Sequence, residues 1–133
     1  MPKLRPVRTT KAAAGAVAVQ LAIGQHFLIA DTSAENGGED LGPDPHELLD
    51  AALASCTALT LTLYARRKGM KLASIEVEVD HEASDGVYRM RREVRLVGEL
   101  SADERTRLLE IANRCPVHRT LSGRFEITSR LTD

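Results

Sequence analysis

From His46 to Lys68 the chain runs without a glycine, a proline or any other turn signal, and it is apolar on nearly every side. A helix starts cleanly there. Asp44 can cap it, Pro45 suits the first helical position, and Glu47 completes a capping box with Asp44. Arg66, Arg67 and Lys68 suit the negative end of the helix dipole, and Gly69 is the stop. The alternation Leu59-Thr60-Leu61-Thr62-Leu63 also fits a strand, but the missing turn signal argues for helix. A helix apolar all round must be covered on most sides. One small domain struggles to do that alone, which points to a dimer. The stretch from Leu48 to Ala65 also raises the question of a membrane span. It carries Asp50 and three threonines, and no second span follows, so a buried core helix and no membrane are expected.

At 133 residues, one domain over 1–133 is expected, with enough chain to bury a core without metal or disulfides. That core must be aliphatic, because Phe27, Tyr64, Tyr88 and Phe125 are the sole aromatics and there is no Trp. A net charge of −1 with the two signs interleaved excludes the basic footprint of a nucleic-acid binder. Met1-Pro2-Lys3-Leu4-Arg5-Pro6 leads into no apolar signal-peptide core, so the expected compartment is the cytoplasm. A disulfide there is usually transient and catalytic.

Around the helix the pattern is of paired strands. Ala16–Ile23 and His26–Asp31, broken by Gly24-Gln25, read as a hairpin, and 32–44 as a polar loop. Residues 74–100 are the most legible. Ile75, Val77 and Val79 alternate with acids; Tyr88, Met90, Val94 and Leu96 alternate largely with arginines and Glu93. Asp85-Gly86 is a type I′ turn signal. Centring the hairpin there sets Ile75 opposite Leu96, Val77 opposite Val94 and Val79 opposite Arg92. On the wet face Glu82 then meets Arg89, Asp80 meets Arg91 and Glu76 meets Arg95. Glu78 opposite Glu93 is an exception, as is Arg92 on the dry face. Arg92 reads either as a bulge or sheet end reaching water, the reading slightly preferred, or as a partner for a thiolate or carboxylate under the helix. Ser101 to Glu104 is a second capping box, opening a helix with Leu108, Leu109, Ile111 and Ala112 on one face. Cys115-Pro116 interrupts it, a short turn covers 116–122, and Phe125, Ile127 and Leu131 make a last strand. The order is ββ–α–ββ–α–β, an α+β domain.

The chain has two cysteines. Cys56, inside the long helix, reads as a small core hydrophobe or as a nucleophilic thiol. A thiolate there needs a cationic or hydrogen-bonding neighbour. His46, ten residues back, is offset by about 80° around the helix and Glu47 by about 180°, so His46 is nearer its face. Cys115 has Arg114, His118 and Arg119 close in sequence and a helical turn after it, so local electrostatics favour it as the lower-pKa thiol. Two thiols in different surroundings suit a nucleophilic and a resolving pair. Cys115-x-x-His118 is half a metal motif without a second half, and His26, His46 and His81 are scattered, so no metal is expected.

Gly42-Pro43-Asp44-Pro45-His46-Glu47-Leu48-Leu49, then Ala54-Ser55-Cys56, then Cys115-Pro116-Val117, resembles the OsmC/Ohr family over nearly the whole chain. Tyr64-Ala65-Arg66-Arg67-Lys68-Gly69 and Cys115–Leu121 are similar to its OsmC-like redox branch. The resemblance implies a swapped homodimer, with two long central helices packed between antiparallel sheets built from both chains. It implies cofactor-free, thiol-dependent reduction of organic hydroperoxides. Cys56 would be the peroxidatic thiol, overriding the local preference, Cys115 the resolving thiol, and an external dithiol the reductant. The family peroxidases place a catalytic glutamate directly after the proline; here His46 stands there and Glu47 follows, so both are candidate catalytic residues. The family arginine comes from the N-terminal part, where Arg5, Arg8 and Lys11 are available. The alternative is a non-catalytic dimer of the same fold that binds a small apolar ligand or partner.

Overall fold

The computed structural model describes residues 5–132; residues 1–4, part of the signal-peptide reading, lie outside it. Its elements are β1 (Val7–Lys11), β2 (Val19–Ile23), β3 (His26–Ala30), a 3-10 turn at Ala34–Asn36, α1 (Pro45–Lys68), β4 (Lys71–Ser84), β5 (Val87–Glu99), α2 (Ala102–Ala112) and α3 (Pro116–Leu121). The chain gathers into two compact units, one through Leu49 and one from Asp50 on.

The first unit holds an antiparallel sheet ordered β1-β2-β3. The β2–β3 hairpin turns at Gly24, whose φ of 60° suits glycine. β1 is an addition to the expected order. Its five residues are all exposed and lack apolar alternation, so nothing in VRTTK marks it. It sets Arg8 opposite Ala22 and Lys11 opposite Val19, so these cations belong to a strand of their own chain's sheet. The loop to α1 is built on Asp31. Its carboxylate accepts the N–H groups of Thr32, Glu39 and Leu41 at 2.8, 3.1 and 3.1 Å, which hold it below the ordinary carboxylate range.

The second unit is a long two-stranded ribbon, β4–β5, against which α1 and α2 pack. The expected register is observed pair for pair: Ile75–Leu96, Val77–Val94, Val79–Arg92, Asp80–Arg91 and Glu82–Arg89 are opposed. Asp85 and Gly86 have φ of 54° and 73°, as a type I′ turn requires. Of the charge pairs, Arg91–Asp80 (2.7 Å) and Arg95–Glu76 (3.4 Å) close, while Arg89 bonds Ser84 instead. The ladder has one irregularity beyond the expected register: it shifts between Leu72 and Ser74, leaving Ala73 bulged. Opposite it, Gly98 has φ 149° and a Cβ there would strike the Lys71 carbonyl.

α1 is long and apolar enough to cross a bilayer by length and composition. It nevertheless buries one stripe within its own chain: Asp50, Leu53, Thr57, Leu61 and Tyr64, with Ala65 alongside. These fall three or four residues apart, on one helical face. Leu61, Tyr64 and Ala65 meet Leu108, Ile111 and Ala112 of α2, and Ile75, Val94 and Leu96 close the cluster from the ribbon. Away from that stripe, Leu59 and Leu63 stay 64% and 52% exposed, so this chain alone does not cover the helix. The α2 capping box forms as read, with Ser101 and Glu104 each accepting the other's N–H. The last strand does not: residues 124–132 are in no strand among the described residues, and Phe125, Ile127 and Leu131 are exposed. Their alternation lacks a hydrogen-bonding neighbour, without which a strand is not held.

Leu108 has no exposed surface and sits where α1 and α2 meet. Leu108→Ala is expected to lower unfolding free energy by about 2–5 kcal/mol, with an unchanged urea m-value, in equilibrium denaturation followed by circular dichroism.

Candidate functional site

Residues from three elements meet beneath α1. Thr57, on its buried stripe, donates its hydroxyl to the Leu53 carbonyl at 2.7 Å. The same oxygen lies 3.9 Å from Cys115 Sγ and accepts an N–H from Arg92 Nη1 at 3.1 Å. With the hydroxyl proton held by Leu53, the Cys115 thiol is the donor toward Thr57. Cys115 is fully buried, precedes α3, and its sulfur accepts the backbone N–H of His118 at 3.3 Å. It is held this way because Pro116 keeps it extended while starting the next helical turn.

Arg92 ties these elements together. Neither a bulge nor a sheet end accounts for it, since the ladder runs regularly through mid-strand β5. Its Nη2 donates to Asn113 Oδ1 at 3.0 Å and to His118 Nδ1 at 3.1 Å. A guanidinium can only donate, so His118 Nδ1 carries the lone pair and the neutral ring holds its proton on Nε2. Burial, and next the charge of Arg92, push the His118 pKa below its ordinary value. Arg92 thus hydrogen-bonds the thiol's neighbours, Thr57 and His118.

Cys56 is half-buried, its sulfur 3.8 Å from Thr60 Oγ1, and both cysteines are free thiols. At 100° per residue it shares a flank of α1 with Leu49 and Leu63, seven residues to either side, about 40° of arc in all. That flank is not the one facing Cys115; the residue after Cys56 meets Cys115 instead. Glu47 and His46 lie in the first turn of α1 and act on the cap. Glu47 Oε1 accepts the Asp44 N–H at 2.9 Å, and Asp44 Oδ1 accepts the His46 N–H at 2.8 Å. His46 Nδ1 is also 3.7 Å from that carboxylate.

A second polar cluster is built on the same buried stripe. Asp50, buried on the α1 stripe, accepts the Tyr88 hydroxyl at 2.9 Å and bonds His81 Nδ1, and the two rings stack at 4.6 Å. An acid in an apolar helix was its one sequence signal, because His81 and Tyr88 come from different strands. Beside Tyr88 opens a cavity of about 430 Å³, lined by Leu53, Met90, Arg92, Asn113 and His118 among others. Among the described residues, no three His, Cys, Asp or Glu side chains are grouped to hold a metal ion.

A family profile described as OsmC-like protein matches residues 37–130. No curated protein matches the chain. Solved structures do. An OsmC-like protein from Mycoplasma pneumoniae is 21% identical, covers 92% of this chain and 90% of its own, and superposes with a TM-score of 0.75. The organic hydroperoxide resistance protein OsmC of Legionella pneumophila gives 17%, 91%, 90% and 0.69. OhrB, the organic hydroperoxide resistance protein of Bacillus subtilis, gives 19%, 91%, 92% and 0.61. At these identities the likeness is one of fold.

Because His118 is depressed in the folded state and ordinary in the unfolded one, its contribution to stability is complete above about pH 6.5 and is lost as pH falls below that. The urea midpoint is expected to drop between about pH 7.5 and 5.5, and His118→Asn to flatten that slope.

Proposed function

This chain belongs to the OsmC-like protein family, and from that premise we propose that it reduces organic hydroperoxides through Cys56 and Cys115. The observation that carries the reading is the setting of the two thiols: Cys56 on the uncovered flank of α1, Cys115 sealed behind Thr57. The Cys56 thiolate attacks the terminal peroxide oxygen. The O–O bond breaks, the alkoxide leaves and takes up a proton as the alcohol, and Cys56 becomes a sulfenic acid. Cys115 displaces its oxygen as water, giving a disulfide; an external dithiol returns both thiols and is itself oxidised. Joining the sulfurs requires α3 and the Cys115 segment to move, since Thr57 stands at the buried sulfur. Glu47 and His46 keep a role only by leaving the cap, Glu47 as the carboxylate that orients the peroxide.

The working unit is a swapped homodimer of single 1–133 domains, with α1 helices paired between sheets from both chains. Supporting it are the exposed Leu59 and Leu63, the seven-residue spacing of Leu49, Cys56 and Leu63, and the unpaired alternation at Phe125 and Ile127. The protein is placed in the cytoplasm, off membranes and nucleic acid, and uses no metal or cofactor. One observation favours the second reading, a non-catalytic dimer that binds a small apolar ligand: Glu47 is spent on the cap, and His46 stands where the peroxidases carry glutamate.

Treating reduced protein with cumene hydroperoxide is expected to yield a Cys56–Cys115 disulfide by peptide mass spectrometry. Cys56→Ser abolishes peroxide consumption, and Cys115→Ser consumes one equivalent and stops without a dithiol. Unchanged thiols after excess hydroperoxide leave the binding reading.

A further inference from the structure

Arg92 carries a charge that no carboxylate matches among the described residues. Its three side-chain partners, Thr57, Asn113 and His118, are all neutral, and it forms no ion pair among the described residues. A guanidinium has five N–H donors, and these contacts use three, leaving two without a protein acceptor among the described residues. Asn113 turns its carbonyl oxygen to Arg92, so its amide NH2 remains a donor. The cavity that Arg92 and Asn113 line has Leu53, Met90 and Leu121 on its other walls. At about 430 Å³ it is within the range of small-molecule sites.

A half-buried cation with spare donors, on the wall of a cavity that mixes Leu53, Met90 and Leu121 with polar Tyr88, His118 and Ser122, suits an anion that carries a short apolar part. We propose that this cavity binds a small amphiphilic monoanion, its carboxylate on Arg92 and the Asn113 amide and its hydrocarbon chain against Leu53, Met90 and Leu121. No acid is among the residues that line the cavity, and Asp50, which accepts the hydroxyl of the lining Tyr88, is engaged by Tyr88 and His81. His118, neutral as Arg92's acceptor, leaves the site's charge at that of Arg92 alone. Neither cysteine lines the cavity, so the site does not depend on thiol reactivity.

The test uses the full chain, reduced, with sodium octanoate as probe and 1-octanol as its uncharged counterpart, followed by nitrogen-15 and methyl NMR. Octanoate is expected to bind with a dissociation constant on the order of 1 mM or below, shifting the Asn113 side-chain amide and the Met90 and Leu53 methyls. Octanol is expected to bind about tenfold more weakly, and Arg92→Gln to lose octanoate by a similar factor. Cys56→Ser should bind octanoate as the unaltered chain does, which separates this result from any failure of peroxidase activity. Equal binding of octanoate and octanol, shifts confined to residues away from the cavity, or octanoate affinity unchanged in Arg92→Gln would each overturn the proposal. If Arg92→Gln does not fold, the octanoate–octanol comparison on the unaltered chain decides.

Discussion

Helix α1 has more apolar surface than its own chain covers, and much of the structure follows from how that surface is divided. One stripe, from Asp50 through Leu53, Thr57 and Leu61 to Tyr64, is buried against α2 and the β4–β5 ribbon. Leu59 and Leu63 remain in contact with solvent. The division also sorts the thiols. Cys115 lies behind the buried stripe, while Cys56 lies among the uncovered leucines. A helix with an amphipathic pattern would have left no such flank, and the proposed dimer is the arrangement that covers it.

The buried stripe contains two polar side chains, which would be costly without partners. Both are satisfied by residues from distant elements. Asp50 takes Tyr88 and His81 across the ribbon; Thr57 takes Arg92 from β5 and touches Cys115 before α3. These bonds fix the rotation of α1 more sharply than its leucines, which are available on every side. They also place a cation on the hydroxyl that Cys115 touches. Arg92 therefore joins two places in the fold: it bonds the threonine that touches Cys115, and it lines the cavity of the proposed anion site.

The ribbon was legible in the sequence to the level of individual pairs. Period-two alternation, the Asp85-Gly86 turn and complementary charges all select one register. Both helix starts were legible for the same reason: Asp44, Glu47, Ser101 and Glu104 act on backbone groups a few residues away. What escaped was either featureless or long-range. β1 exposes all five residues and carries no pattern. The expected strand at Phe125–Leu131 has the pattern but no partner strand in its own chain among the described residues. Thr57 looked like one threonine among several, and only the fold brings it to Cys115. Arg92 stood out on the dry face, but its acceptors, Asn113 and His118, lie 21 and 26 residues along the chain.

Sedimentation velocity of the reduced protein, alongside a Leu59→Glu, Leu63→Glu variant, tests the division of α1 most directly. The account predicts a single species of twice the chain mass for the unaltered protein, and a folded species of one chain mass for the variant. A well-folded protein that sediments as one chain, with the variant indistinguishable from it, would contradict the claim that the flank bearing Cys56 is completed by a second copy.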